Sequence, residues 1–144
     1  MRILADVNVL LALLDPLHSS HTRAIKWFDS LPGGSMLLLC RSTQTSLLRL
    51  LSTSAVMQGK PLPLKKAWQQ VDALISTPGF GFAAETVGIE AVWRRLCQPF
   101  PASPKIVADA YLAAFAVEGD LSLATMDTGF RQFGGLKLAE GLLD

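Results

Sequence analysis

Met36 to Cys40 is an unbroken apolar stretch set between Pro32-Gly33-Gly34 and Arg41. It lacks polar alternation, as expected of a strand covered on both faces in a parallel sheet, where neither side meets water. Residues 2–5 form a second short apolar run, which stops at Asp6. Helical spacing follows each run: Val9, Leu10, Leu13 and Leu14 after the first, and Leu47, Leu48, Leu50 and Leu51 after the second. Asp15-Pro16 closes the first helix, because proline disfavours the helical region for the residue before it.

The same alternation continues along the chain. Ser20 to Ser30 reads as a helix with Ala24, Ile25, Trp27 and Phe28 on its apolar face, and Pro63 starts a helix over 64–75 that Thr77-Pro78-Gly79 ends. Phe80-Gly81-Phe82 is a short strand weakened by its glycine. Glu90 to Leu96 is helical up to Pro99. Ser103-Pro104 opens a helix that runs to about Glu118, with serine as the cap and proline at the first position, where its missing N–H costs nothing. Leu121 to Thr125 is a strand, Asp127-Thr128-Gly129 a turn, and Leu136 to Ala139 an edge strand. Strands alternating with helices predict a three-layer α/β/α sandwich around a mostly parallel sheet. At 144 residues, a single domain spanning 1–144 is expected.

Composition narrows the function. Thirteen Lys and Arg against twelve Asp and Glu leave a net charge of +1, which excludes a histone-like global attraction to nucleic acid. A polyanion must be held by a local patch. The longest apolar run, Ala110 to Val117, falls far short of the ~20 residues that cross a bilayer, and Asp6 and Asn8 interrupt any signal-like N-terminus. A soluble, cytoplasmic protein without membrane contact is expected. Cys40 and Cys97 are isolated and read as two buried thiols in a reducing compartment.

Three acids fall where an open α/β sheet places its ligands, beyond the carboxyl ends of the strands. Asp6 ends the first strand, and Asp127 follows the 121–125 strand. Asp109 sits in the second turn of the helix opened by Ser103, on the stripe of Ile106 and Ala113. Singly, each has an ordinary explanation: Asp6 as a helix cap, Asp127 as an Asx-turn, and Asp109 as a solvated residue near a helix N-terminus. Together, like charges at one rim raise one another's pKa unless a cation neutralises them. Magnesium suits such oxygen donors and needs only one or two of them directly. An ion of this kind serves phosphate ester hydrolysis.

At this point the chain resembles a known family. Leu4-Ala5-Asp6-Val7-Asn8-Val9-Leu10, Asp109-Ala110-Tyr111-Leu112-Ala113-Ala114-Phe115-Ala116 and Ala124-Thr125-Met126-Asp127-Thr128-Gly129-Phe130 are similar to the three signature segments of PIN-domain nucleases. The segment from Thr43-Gln44 to Arg49, with the overall length, resembles the VapC-type ribonuclease toxins. The resemblance implies a PIN-like fold and a Mg²⁺- or Mn²⁺-dependent endoribonuclease. Asp6, Asp109 and Asp127 would then be the catalytic, metal-holding acids, with Asn8 and Thr125 orienting carboxylates and water. It further implies an RNA substrate, a homodimer, and a small antitoxin whose tail fills the acidic cleft.

One position departs from that pattern. Many PIN domains carry a fourth acid, usually Glu, where this chain has Gln44. The amide can still accept a hydrogen bond from a metal water but removes one negative charge, which favours one ion over two. Arg49 and Arg131 are candidates for phosphate contact. His18 and His21 make a poor zinc pair without other ligands. Lys65-Lys66 and Arg94-Arg95 read as solvated helix faces. Trp27, Trp68 and Trp93 read as core or dimer packing.

Two enzyme alternatives fare worse. A haloacid-dehalogenase-type phosphatase needs an acid two residues after its first aspartate, and Asn8 cannot transfer that proton. A response-regulator receiver needs a phosphoacceptor aspartate on a middle strand, and neither Cys40-Arg41 nor Phe82-Ala83 supplies one. A catalytically weak RNA- or antitoxin-binding module remains as a non-enzymatic alternative, motivated by Gln44.

Overall fold

The computed structural model describes residues 1–143. Five strands, β1 (Arg2–Ala5), β2 (Met36–Leu39), β3 (Phe80–Phe82), β4 (Ser122–Ala124) and β5 (Lys137–Leu138), form one sheet in the order β3-β2-β1-β4-β5. Every neighbouring pair is parallel, with Leu4 level with Leu38 on one side and with Leu123 on the other. The sheet is thus wholly rather than mostly parallel. The expected edge strand over 136–139 shrinks to two residues.

Six α-helices connect the strands: α1 (Val7–Leu14), α2 (His21–Asp29), α3 (Arg41–Leu51), α4 (Leu64–Ser76), α5 (Ile89–Cys97) and α6 (Pro104–Glu118). Strand period assigns them to two layers. Ile3, Ala5, Leu37 and Leu39 pack with residues of α1 to α4 in one core, whereas Leu4, Leu38 and Leu123 pack with α5 and α6 in the other. Burial on both faces explains why β1 and β2 read as continuous apolar runs.

Ser103 caps α6 by accepting from the Ile106 N–H, as its Ser-Pro start predicts. Residues 110 to 116 of that helix, apart from a half-buried Tyr111, are buried because α6 lies between the sheet and α5. Its alanines permit that close approach. The predicted Asp127 turn is a 3₁₀ helix over Thr128–Gln132, with the Asp127 side chain accepting from the Gly129 N–H. That local bond supplies the cap that composition alone registered as a turn.

One packing expectation, that both cysteines are buried, needs correction. Cys40 is buried but Cys97 only half-buried, and both are free thiols. Trp27 is buried and donates its indole N–H to the Glu140 carbonyl, whereas Trp68 on α4 is 45% exposed and so belongs to no core. Among the described residues no helix is long and apolar enough to cross a membrane.

Candidate active site

The strand order reverses between β1 and β4, the position at which open parallel sheets leave a crevice above their carboxyl ends. Asp6 stands at the end of β1. Its backbone N–H still bonds to the Ala124 carbonyl at 2.9 Å, which ties it to the end of β4. One carboxylate oxygen accepts from the Val7 N–H at 2.7 Å, capping α1, and the other accepts from the Thr125 hydroxyl at 2.7 Å. The cap reading and the functional reading of Asp6 are therefore compatible.

Thr125 is fully buried and works in both directions. While donating to Asp6, its hydroxyl oxygen accepts the Asp127 N–H at 3.0 Å. One hydroxyl thereby couples the acids after β1 and β4. Asn8 fixes the same turn from α1, its side-chain oxygen accepting the Met126 N–H at 3.2 Å.

Asp109 approaches from α6, and its proximity is registered electrostatically. Burial pushes the Asp6 carboxyl above its ordinary pKa, the Thr125 and Val7 hydrogen bonds oppose this, and the charges of Asp109 and Asp127 push it further up. The three aspartates thus share one crevice, although they come from three separate elements.

Sequence reasoning missed Lys105. One turn before Asp109 on α6, its ammonium donates to Asp109 Oδ2 at 2.6 Å and to Asp127 Oδ2 at 2.8 Å. This contact is the main cause of a lowered Asp127 pKa, with help from the Gly129 N–H, and it raises the lysine's own pKa. The i, i+4 spacing to Asp109 was a visible signal, but the bridge to Asp127 depends on which strand lies beneath α6.

Among the described residues no three acid, histidine or cysteine side chains cage a metal ion as they stand. A positive group, the Lys105 ammonium, sits between two of the acids. The donor set is all oxygen, its acids attract a cation, and Mg²⁺ needs few direct ligands, so the residues fit a hard divalent ion that displaces the ammonium.

The other candidate residues have the following partners. Gln44 is buried, and its Oε1 accepts from Arg41 Nη1 at 2.5 Å. Arg49 is exposed in the last turn of α3, about 12 Å along the helix from Arg41 at the rim. Arg131 donates to the Leu143 carbonyl at 2.6 Å. His21 bonds through Nδ1 to the Ala12 carbonyl and His18 Nδ1 accepts from the Ser20 N–H, so neither faces the acids. Glu85, an acid beyond β3, accepts from the Tyr111 hydroxyl at 2.8 Å. A cavity of about 820 Å³ beside Arg23, Trp27 and Gly141 is lined by none of the three aspartates.

The chain is similar to known proteins in sequence and in fold. Ribonuclease VapC41 of Mycobacterium tuberculosis is 39% identical over 140 residues, covering 94% of this chain and 96% of that protein. VapBC-1 from nontypeable Haemophilus influenzae superposes with a TM-score of 0.70 at 14% identity, covering 96% of this chain and 97% of that one. VapC20 of Mycobacterium tuberculosis, a Sarcin-Ricin loop cleaving toxin, does so with a TM-score of 0.66 at 16% identity, covering 94% and 98%. The model of the PIN domain matches residues 3–136, a span that begins in β1 and takes in all three aspartates. On that match, and on the identity to VapC41 across nearly the whole chain, the protein belongs to the PIN domain family.

Proposed function

We propose that this chain is a single-domain VapC-type toxin: an endoribonuclease that depends on Mg²⁺ or Mn²⁺ and is held inactive by a small cognate antitoxin. It acts in the cytoplasm as a homodimer. One observation carries the reading: the aspartates after β1, on α6 and in the turn after β4 gather at the strand-order reversal, where Asp109 and Asp127 both hold the Lys105 ammonium and Thr125 ties Asp6 to the Asp127 turn. The similarity to Ribonuclease VapC41 supports RNA as the substrate, and the likeness to VapBC assemblies supports an antitoxin partner.

Asp6, Asp109 and Asp127 would hold the ion. When bound, it supplies charge that acidifies the attacking water and offsets negative charge on the phosphodiester oxygens. Thr125 keeps Asp6 oriented and fixes the Asp127 backbone through the same hydroxyl. Asn8 holds Met126, so the turn that carries Asp127 cannot swing away from β1. Burial of Asp6 strengthens its electrostatic interaction with any charge beside it.

Purified protein is expected to cleave structured RNA in Mg²⁺ or Mn²⁺, to stop in EDTA, and to resume when Mn²⁺ is restored. Cleavage that persists in EDTA would exclude metal dependence. Binding without cleavage in either metal would favour the non-catalytic module, for which the neutral Gln44 speaks.

Lys105 gives a second test. Because an incoming ion must displace its ammonium from two carboxylates, Lys105→Met is expected to tighten Mn²⁺ binding roughly tenfold by titration calorimetry, as removing one nearby positive charge implies. The side chain is 65% exposed, so solvent screening keeps the effect moderate. Unchanged or weaker affinity would show that the lysine does not compete with the ion.

A further inference from the structure

The carboxyl rim of the sheet continues past the acids. In the order β4-β1-β2-β3 it presents Asp127, Asp6, Arg41 and Phe82, with Phe82 level with Leu39 in the β2–β3 register. Adjacent strands lie about 4.8 Å apart, so Phe82 stands two strands, roughly 10 Å, from the end of β1. The Arg41 guanidinium lies over the Phe82 ring, 4.8 Å from its centroid, and Nη1 donates to the buried Gln44 at 2.5 Å. Two contacts fix the orientation of this arginine. Arg41 is nonetheless exposed, and Phe82 is 38% exposed.

This placement is costly for the fold. Arg41 is the first residue of α3, where the helix dipole disfavours a positive charge, and a large apolar ring stands partly in water beside it. Solubility would be served as well by an arginine almost anywhere else on α3. A guanidinium held over an aromatic ring and still exposed does provide a cationic stacking face with free donors, which suits an unstacked nucleobase and its phosphate.

We propose that Arg41, backed by Phe82 and positioned by Gln44, forms a subsite that stacks the base of a nucleotide flanking the scissile phosphate in single-stranded RNA. This rests on the reading of the chain as a ribonuclease. The position at which many PIN domains carry an acid is used here to orient an RNA contact. Duplex RNA is excluded from the stack because its bases already stack on one another.

The test is fluorescence anisotropy of a labelled, unstructured RNA oligonucleotide with the full-length Asp6→Asn protein, which separates binding from cleavage. Arg41→Met and Phe82→Ala are each expected to weaken binding roughly tenfold, the scale of one lost base stack. Their combination should be little worse than either alone. Arg41→Lys is the decisive variant: it keeps the charge but not the plane, and it should weaken binding as much as Arg41→Met. Recovery of binding with lysine, or an equal loss on duplex RNA, would reduce the site to a phosphate contact and overturn the proposal. Wild-type affinity in both single variants would overturn it alone. A parent protein that binds no RNA would overturn it together with the ribonuclease reading. Melting temperatures near that of the parent protein confirm that the variants fold, as expected of exposed side chains.

Discussion

Asp6→Asn is expected to reduce RNA cleavage roughly 10³-fold or more while leaving the protein folded and slightly more stable. The loss follows from removing one charge from a group of three that must hold an ion beside a phosphodiester. The gain in stability follows from burial. The Asp6 carboxyl is desolvated and faces the charges of Asp109 and Asp127, which together hold its folded-state pKa above the ordinary value of 3.8. The folded protein therefore binds this proton more tightly than the unfolded chain does, and stability falls as pH rises from 3.8 through the folded-state value.

Asparagine removes that decline. Its Oδ1 can still accept the Val7 N–H, and its amide can donate to Thr125, whose oxygen has a second lone pair beyond the one facing the Asp127 N–H. Asp127 has the opposite sign: Lys105 lowers its pKa, so its contribution to stability is present above the ordinary carboxylate value and is lost on acidification. Thermal melts across pH 3 to 7, paired with a cleavage assay, separate the two acids. A variant that still cleaves RNA would remove Asp6 from the site. One that unfolds would make Asp6 a structural cap alone.

What the sequence made legible divides along a physical line. The strands β1 and β2 and the helices after them follow from local pattern, since burial on two faces leaves only apolar residues and a half-buried helix repeats near 3.6. The three aspartates were legible because each falls at the end of a strand or in the first turns of a helix. Contacts that depend on strand order were not. Lys105 reaches Asp127 across 22 positions only because α6 overlies β4, and Arg41 meets Phe82 only because β3 pairs with β2.

Gln44 illustrates the same limit. The family resemblance marks its position as one that can face a metal water, but its bond from the arginine three residues earlier is a contact that the pattern does not show. Arg131 is a candidate for phosphate contact by residue type, and the backbone of Leu143 takes one of its donors. Residue type and spacing name the groups that can do chemistry. Which group each one faces is decided by tertiary neighbours.

Phe130→Ala is expected to destabilise the protein by about 3–5 kcal/mol, the range for emptying a buried aromatic site, which lowers the melting temperature by roughly 10 °C in a chain of this length. Phe130 is 2% exposed and heads the fully buried side chains by volume. It packs beside Phe133, with ring centroids 6.0 Å apart, in the core beneath α5 and α6. It also lies within the 3₁₀ turn that Asp127 caps, so the cavity opens directly under the site. As that turn loosens, the Asp127 bonds to Gly129 and Lys105 lose their fixed geometry, and Mn²⁺ affinity should fall even at temperatures where the variant is folded. Denaturant unfolding measures the first effect and titration calorimetry the second. A loss below about 1 kcal/mol would mean that neighbouring side chains collapse into the space. A full loss of stability with unchanged Mn²⁺ affinity would mean that Asp127 is held by the end of β4 alone, with Thr125 rather than Phe130 as its support.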